Sequence, residues 1–210
     1  MIKACIFDLD GTLVDSEPLY VQGVRDALAF KNIDVSEAEA FDIVHGHAWS
    51  LIYKTSQKLY PGSWDKSEDM WRFVENRAIE LSKTLDIAIA DSIETLIELS
   101  KEYPVAVVSG SPREKIERNL IETGIIDYVD FYMGCEDYEH SKPHPEPFLK
   151  AIDRLGLKAD ECLIFEDSPA GINSAKAAGA PVVILTSEPD HKLSNGAYAV
   201  VSSLKDLTIN

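Results

Sequence analysis

Residues 2–17 read IKACIFDLDGTLVDSE. The apolar run Ala4, Cys5, Ile6, Phe7 stops abruptly at Asp8, Leu9, Asp10, Gly11, Thr12. A bounded apolar run of this length reads as a buried strand, and Asp-Gly marks a turn. Two carboxylates, Asp8 and Asp10, are therefore offered where a core strand ends. Residues two apart in extended chain point the same way, so both could face one pocket. Adjacent buried anions raise each other's pKa and call for a cation. Oxygen-only donors suit Mg2+.

Outward from this stretch, the chain alternates. Residues 17–30 carry apolar positions Val21, Val24 and Leu28 at helical spacing. Helical segments follow over 38–44, 50–60 and 67–85, the last two broken by Pro61-Gly62. This region holds all three tryptophans and no strand signal. Beyond it, strand runs are predicted at Val105–Val108, Phe131–Met133, Cys162–Phe165, Val182–Leu185 and Ala199–Val201. Helices are predicted between them: one with a capping box of Asp91 and Glu94, one capped by Ser111 ahead of Pro112, one closing at Gly156, and one from Ser168-Pro169 to Gly179. Such alternation implies βαβ units, a mostly parallel sheet and helices on both faces. The domain expectation is an α/β core of residues 1–15 and 84–210, with a small all-helical cap domain, residues 16–83, inserted after the first strand.

The net charge of −16 argues against nucleic acid and anionic membrane, which both need a basic footprint. The first residues do not read as a signal peptide, and no apolar run approaches transmembrane length. Cys5, Cys135 and Cys162 form neither a disulfide framework nor a thiolate metal site. A cytoplasmic protein is expected.

In an open α/β sheet, ligands bind beyond the carboxyl ends of the strands. The strand ends here deliver Asp8 and Asp10, then Ser109-Gly110-Ser111, then Glu166-Asp167-Ser168, and a later loop adds Lys142. A carboxylate can act as a nucleophile towards phosphorus. Mg2+ would neutralise both carboxylates and phosphoryl oxygens, and lysine holds phosphate as a point charge. Local positive charge would thus answer the global excess of acid.

Four ordered segments, DLDGTLVDSE (8–17), VVSGSP (107–112), SKPHPEPF (141–148) and IFEDSPAGI (164–172), resemble the motifs of the haloacid dehalogenase superfamily. They are most similar to its β-phosphoglucomutase-like and phosphatase branch, which has a helical cap after the first motif. The resemblance implies a Rossmann-like core with the Asp8 strand central. It implies Asp8 as nucleophile and metal ligand. It implies Asp10 as the acid that protonates the leaving oxygen and then the base that activates water, with its backbone carbonyl on the metal. Ser109, Gly110 and Lys142 would hold the phosphoryl group. Asp167 would ligate Mg2+, with Glu166 as a further ligand or a supporting partner. The dehalogenase branch lacks the second acid of the first motif, so Asp10 favours phosphoryl chemistry.

In the resembling family, a cap loop reads the substrate and the cap closes over the reaction. Here that loop is His45-Gly46-His47, with Tyr20 and Arg25 as weaker candidates. The β-phosphoglucomutases carry a lysine-glycine pair and a nearby arginine in this loop, where this chain has His45-Gly46 and Trp49. A mutase must grip a second phosphate, so their absence favours hydrolysis. The expected protein is a Mg2+-dependent phosphatase, a monomer or weak homodimer, acting on a sugar, polyol or glycolate phosphate. A phosphomutase is the alternative, and a phosphoacceptor signalling module a more distant one.

Overall fold

The structure, a computed structural model, describes residues 1–45, 47, 49–187 and 191–207. The chain divides into two compact units, Met1–Asp15 with Ala88–Asn210, and Ser16–Ile87.

Among the described residues, the first unit is built on six strands: β1 (Ala4–Phe7), β2 (Val105–Val108), β3 (Phe131–Met133), β4 (Cys162–Glu166), β5 (Val182–Leu185) and β6 (Ala199–Val201). All pair in parallel in the order β3-β2-β1-β4-β5-β6. β1, the first strand in the chain, is central. Phe7 stands level with Val107 on one side and Phe165 on the other, and the Phe7 and Phe165 rings stack at 4.1 Å. β1, β2 and β4 are buried along their whole length, as continuous apolar runs must be when helices cover both faces of a sheet. One face, from Ala4 and Ile6 to Val182 and Ile184, packs against Phe148, Ala151, Ile172 and Ala175. Those residues lie on α7 (Glu146–Leu155) and α8 (Pro169–Ala177). On the β2–β3 side, α5 (Ala90–Ser100) meets β2 and α6 (Arg113–Glu122) meets β3.

Local chemistry sets most boundaries. Ser168 caps α8 by accepting from the Gly171 N–H, with Pro169 at the first helical position. Gly156 ends α7 in the left-handed region. Two expected caps are corrected. Asp91 does not cap α5. Its carboxylate accepts from Ser203 Oγ and pairs with Lys205 Nζ. Ser111 does not cap α6 either, because its hydroxyl is drawn to a carboxylate described below. In both cases a stronger partner, distant in the chain, won the side chain from the local backbone.

The second unit holds α1 (Glu17–Ala29), α2 (Glu37–Val44), α3 (Trp49–Leu59) and α4 (Ser67–Ser82). A full capping box between Ser36 and Glu39 starts α2. Val24, Leu28, Ile43, Met70 and Val74 form its core. Trp64 is buried, and its ring N–H donates to Ala27 O at 3.2 Å.

Candidate active site

The central position of β1 gives the Asp8 stretch its meaning. The neighbours of β1 in the sheet are β2 and β4, so the three strand ends carrying Asp8, Ser109 and Glu166-Asp167 lie side by side. The strand order reverses at β1, and that switch point is where open α/β sheets bind ligands.

Lys142 ties the group together. Its ammonium donates to Asp8 Oδ1 at 2.6 Å, to Glu166 Oε1 at 2.6 Å and to Val108 O at 3.0 Å. All three of its N–H donors are used. Its side chain is 10% exposed and that of Asp8 is 11%. Burial pushes the Lys142 ammonium down, yet Asp8 and Glu166 outweigh it and hold the lysine above its ordinary pKa. Burial, with Glu166 and Asp167 adding to it against the pull of Lys142, raises the Asp8 carboxyl well above the usual range.

Glu166 is wholly buried. While its Oε1 meets Lys142, its Oε2 accepts from the Asp167 N–H, the Ser168 N–H and Ser168 Oγ, at 3.0 to 3.1 Å. Both oxygens are therefore occupied by the protein. Gly171 makes room for this side chain: a Cβ there would lie 1.7 Å from Glu166 Oε1. Asp167 accepts from Thr12 Oγ1 at 2.9 Å. Burial first, and then Glu166, raises Asp167 to about 6. Gly11 has φ +87°, and a Cβ there would fall 2.1 Å from Asp167 Oδ2. Glycine at 11 is required twice, for the left-handed turn and for the close approach.

The donor set fits a divalent cation. Carboxylate oxygens of Asp8, Glu166 and Asp167 lie within 4.8 Å of one another. Fully ionised, they carry three negative charges against the one positive charge of Lys142. Burial is the main cause of the upward pull on Asp8 and Asp167, and the neighbouring acids add to it. A hard dication with oxygen ligands would offset the excess of negative charge.

Asp10 takes a different course. The strand ends at Phe7 and the chain bends at Leu9, so the simple two-residue alternation does not carry from Asp8 to Asp10. Asp10 Oδ2 accepts from Ser111 Oγ at 2.9 Å and lies 3.4 Å from Ser109 Oγ. Asp10 Oδ1 pairs with Lys115 Nζ at 3.0 Å. Its carboxyl thus sits with the β2–α6 segment rather than in the Asp8–Glu166–Asp167 group. Ser109 is 2% exposed. Its hydroxyl accepts from the Ser111 N–H at 3.1 Å, and its carbonyl accepts from Tyr138 OH at 2.8 Å. Gly110 is exposed, with open space where a side chain would be.

The loop bearing Lys142 is clasped by Glu146. This carboxylate accepts from the backbone N–H groups of Glu139 and His140, both at 3.0 Å, and pairs with Lys150. Those bonds, the Glu139 N–H foremost, hold it far below the ordinary carboxylate range. His140, His144 and Glu146 form a second group of possible metal donors. Glu146, however, is spent on the loop, and His144 Nδ1 accepts from the Glu146 N–H at 3.2 Å.

In the helical unit, His45 Nδ1 meets Glu17 Oε1 at 2.8 Å and its ring stacks on Phe41. His47 Nδ1 lies 3.0 Å from Ile43 O. Gly46 lies outside the described residues. Tyr20 OH donates to Glu75, and Arg25 to Gln22 Oε1 and Val35 O.

Sequence reasoning missed Thr12, Lys115 and Tyr138. The signal for Lys115 was its place in the first turn of α6, where the helix dipole disfavours a cation unless an anion holds it. Thr12 and Tyr138 gave no signal apart from their neighbours.

The model of the haloacid dehalogenase-like hydrolases matches residues 5–185, and the chain belongs to that family. It is 28% identical to hexitol phosphatase B of Escherichia coli O157:H7, over 99% of this chain and 95% of that one. It is 30% identical to hexitol phosphatase A of Escherichia coli K12, over 99% and 94%. A solved structure of a hydrolase of the same family from Deinococcus radiodurans, with bound phosphate and sodium, superposes with a TM-score of 0.75. That alignment has 25% identity and covers 98% of this chain and 93% of the other.

Proposed function

We propose that this protein is a Mg2+-dependent phosphatase that hydrolyses a small phosphorylated metabolite, of the polyol or sugar phosphate class, through an aspartyl phosphate on Asp8. The observation that carries the reading is the bridge from Lys142 to Asp8 and Glu166 at 2.6 Å. It holds one carboxylate, the proposed nucleophile, beside a group of acids whose oxygens suit a dication. The names of the hexitol phosphatases support the substrate class.

Asp8 attacks phosphorus through a carboxylate oxygen. The bond from phosphorus to the ester oxygen breaks, and that oxygen takes a proton from Asp10. Water then gives a proton to Asp10 and attacks the phosphorus of the aspartyl phosphate. Phosphate leaves and the Asp8 carboxylate is restored. Lys142 steadies Asp8 before the attack, and the Ser109 segment supplies donors for the phosphoryl oxygens. Asp8, Asp167 and the Asp10 carbonyl would hold Mg2+, which supplies neutralising charge. Glu166, with both oxygens bonded to the protein, supports Lys142 and Asp167. We assign substrate choice to the helical unit, with His45 and His47 as its candidate residues.

The test is a panel of phosphorylated metabolites with Mg2+, scored by released phosphate, with Asp8→Asn in parallel. The expected result is release from a polyol or sugar phosphate, lost by at least about a thousandfold in the variant. Isomerised sugar phosphate without free phosphate would overturn the reading in favour of a mutase. So would variant activity above about a tenth of wild type. Alanine at His45 or His47 is expected to change KM for the best substrate, and unchanged kinetics would remove them from substrate choice.

A further inference from the structure

We infer that Lys115 is a positioning residue for Asp10, a role that rests on the phosphatase reading above. Lys115 Nζ lies 3.0 Å from Asp10 Oδ1. Ser111 Oγ holds the other oxygen at 2.9 Å. The two ends of the carboxyl are thus fixed by one short segment, the turn into α6. That segment also carries Ser109, whose hydroxyl reaches to 3.4 Å from Asp10 Oδ2.

Lys115 is not an ordinary surface lysine. Its side chain is 13% exposed, against 32% for Asp10. It also occupies the first turn of α6, at the positive end of the helix dipole, where a cation is disfavoured. Arg113, in the same turn, is likewise held by an acid from elsewhere, Asp137. A cation kept in so unfavourable a place, and mostly withdrawn from water, is there for its partner.

The chemistry gives that partner a use for it. When Asp10 passes its proton to the leaving oxygen, it becomes a carboxylate. The ammonium of Lys115, held at Oδ1, stabilises that charge and keeps the carboxyl in place. When water attacks the aspartyl phosphate, Asp10 takes a proton back. Lys115 stays protonated throughout and touches neither phosphorus nor leaving group.

The test separates proton delivery from simple structural support. Lys115→Met and Lys115→Arg are compared with wild type on aryl phosphates graded from phenyl to 2,4-dinitrophenyl phosphate. The readout is kcat/KM, which reports the step through cleavage of the ester bond. Dinitrophenolate leaves without a proton, whereas phenolate needs one. Lys115→Met is expected to lose about tenfold more on phenyl phosphate than on the dinitrophenyl ester, a usual size for general acid catalysis. Lys115→Arg is expected to recover most of that difference. Equal losses on all esters would overturn the inference in favour of a structural role, and so would no loss at all. Hydrolysis by wild type that Asp8→Asn abolishes keeps the phosphatase reading intact whichever way Lys115 falls. Absence of Asp8-dependent hydrolysis sinks both.

Discussion

The residue that most constrains this site has no side chain. Gly171 faces the wholly buried Glu166, and any Cβ at 171 would overlap Glu166 Oε1. Gly171→Ala must therefore displace a carboxylate that anchors Lys142 and receives three donors from the turn after β4. We expect a loss of about 1–3 kcal/mol, the usual size for a buried polar group left without partners, read from the midpoint of urea unfolding. Activity should fall with it, because Lys142 loses one of its two acids. A variant with wild-type midpoint and turnover would mean that Glu166 does not fix Lys142. Neither glycine contact was legible in the sequence. Gly11 could be read as a turn, but its closeness to Asp167 depends on a residue 156 positions away.

At the scale of elements, the strand ends do the assembling. β1 lies between β2 and β4, and the stacked rings of Phe7 and Phe165 sit one residue before Asp8 and Glu166. Phe165→Ala should cost about 3–5 kcal/mol, the range for a large buried aromatic, seen as a lowered unfolding midpoint. It should also depress Mg2+ affinity, because that stack packs β1 against β4 one residue before the acids. Unchanged Mg2+ affinity in a destabilised variant would separate packing from the site. In the helical unit, Gly23 meets Val74: a Cβ on Gly23 would lie 3.0 Å from Val74 Cγ1 and 3.2 Å from Val74 O. Gly23→Val is expected to destabilise that unit by about 1–3 kcal/mol through overpacking, measured by calorimetry. The strands were legible because a buried parallel strand must be an unbroken apolar run. The caps at Asp91 and Ser111 were misread because cap chemistry is local, and both side chains found distant partners.

For the molecule as a whole, the question is how a chain of net charge −16 accepts an anion. The answer proposed is a bound dication, and the acids around it make a pH prediction. Burial and Glu166 raise Asp167 to about 6, so the metal-free folded chain keeps that proton to higher pH than the unfolded chain does. Between about pH 4 and 6 the folded form therefore holds the extra proton, and stability falls as pH rises through that window. A dication bound to the deprotonated acids would reverse the loss. Mg2+ at a hundred times its Kd should raise Tm by roughly 5–10 °C at about pH 7.5. At about pH 5, where protons compete for the same oxygens, the rise should be less than half as large. An equal shift at both pH values, or none, would count against a Mg2+ site among these acids. No helix among the described residues is long and apolar enough to cross a membrane.

Taken alone, the sequence determined the parallel α/β plan, with its uninterrupted apolar strands and the glycine and proline signals between them. It also determined the kinds of group offered there, acids and a hydroxyl at the strand ends and a lysine in a later loop. Tertiary structure alone decided how those groups divide. Asp8 went to Lys142 and the β4 acids, whereas Asp10 went to Ser111 and Lys115. β1 ends at Phe7 and the chain bends at Leu9, so the alternation on which a reading along the chain depends does not carry from Asp8 to Asp10. Partners a hundred residues apart meet only once the sheet has set its order.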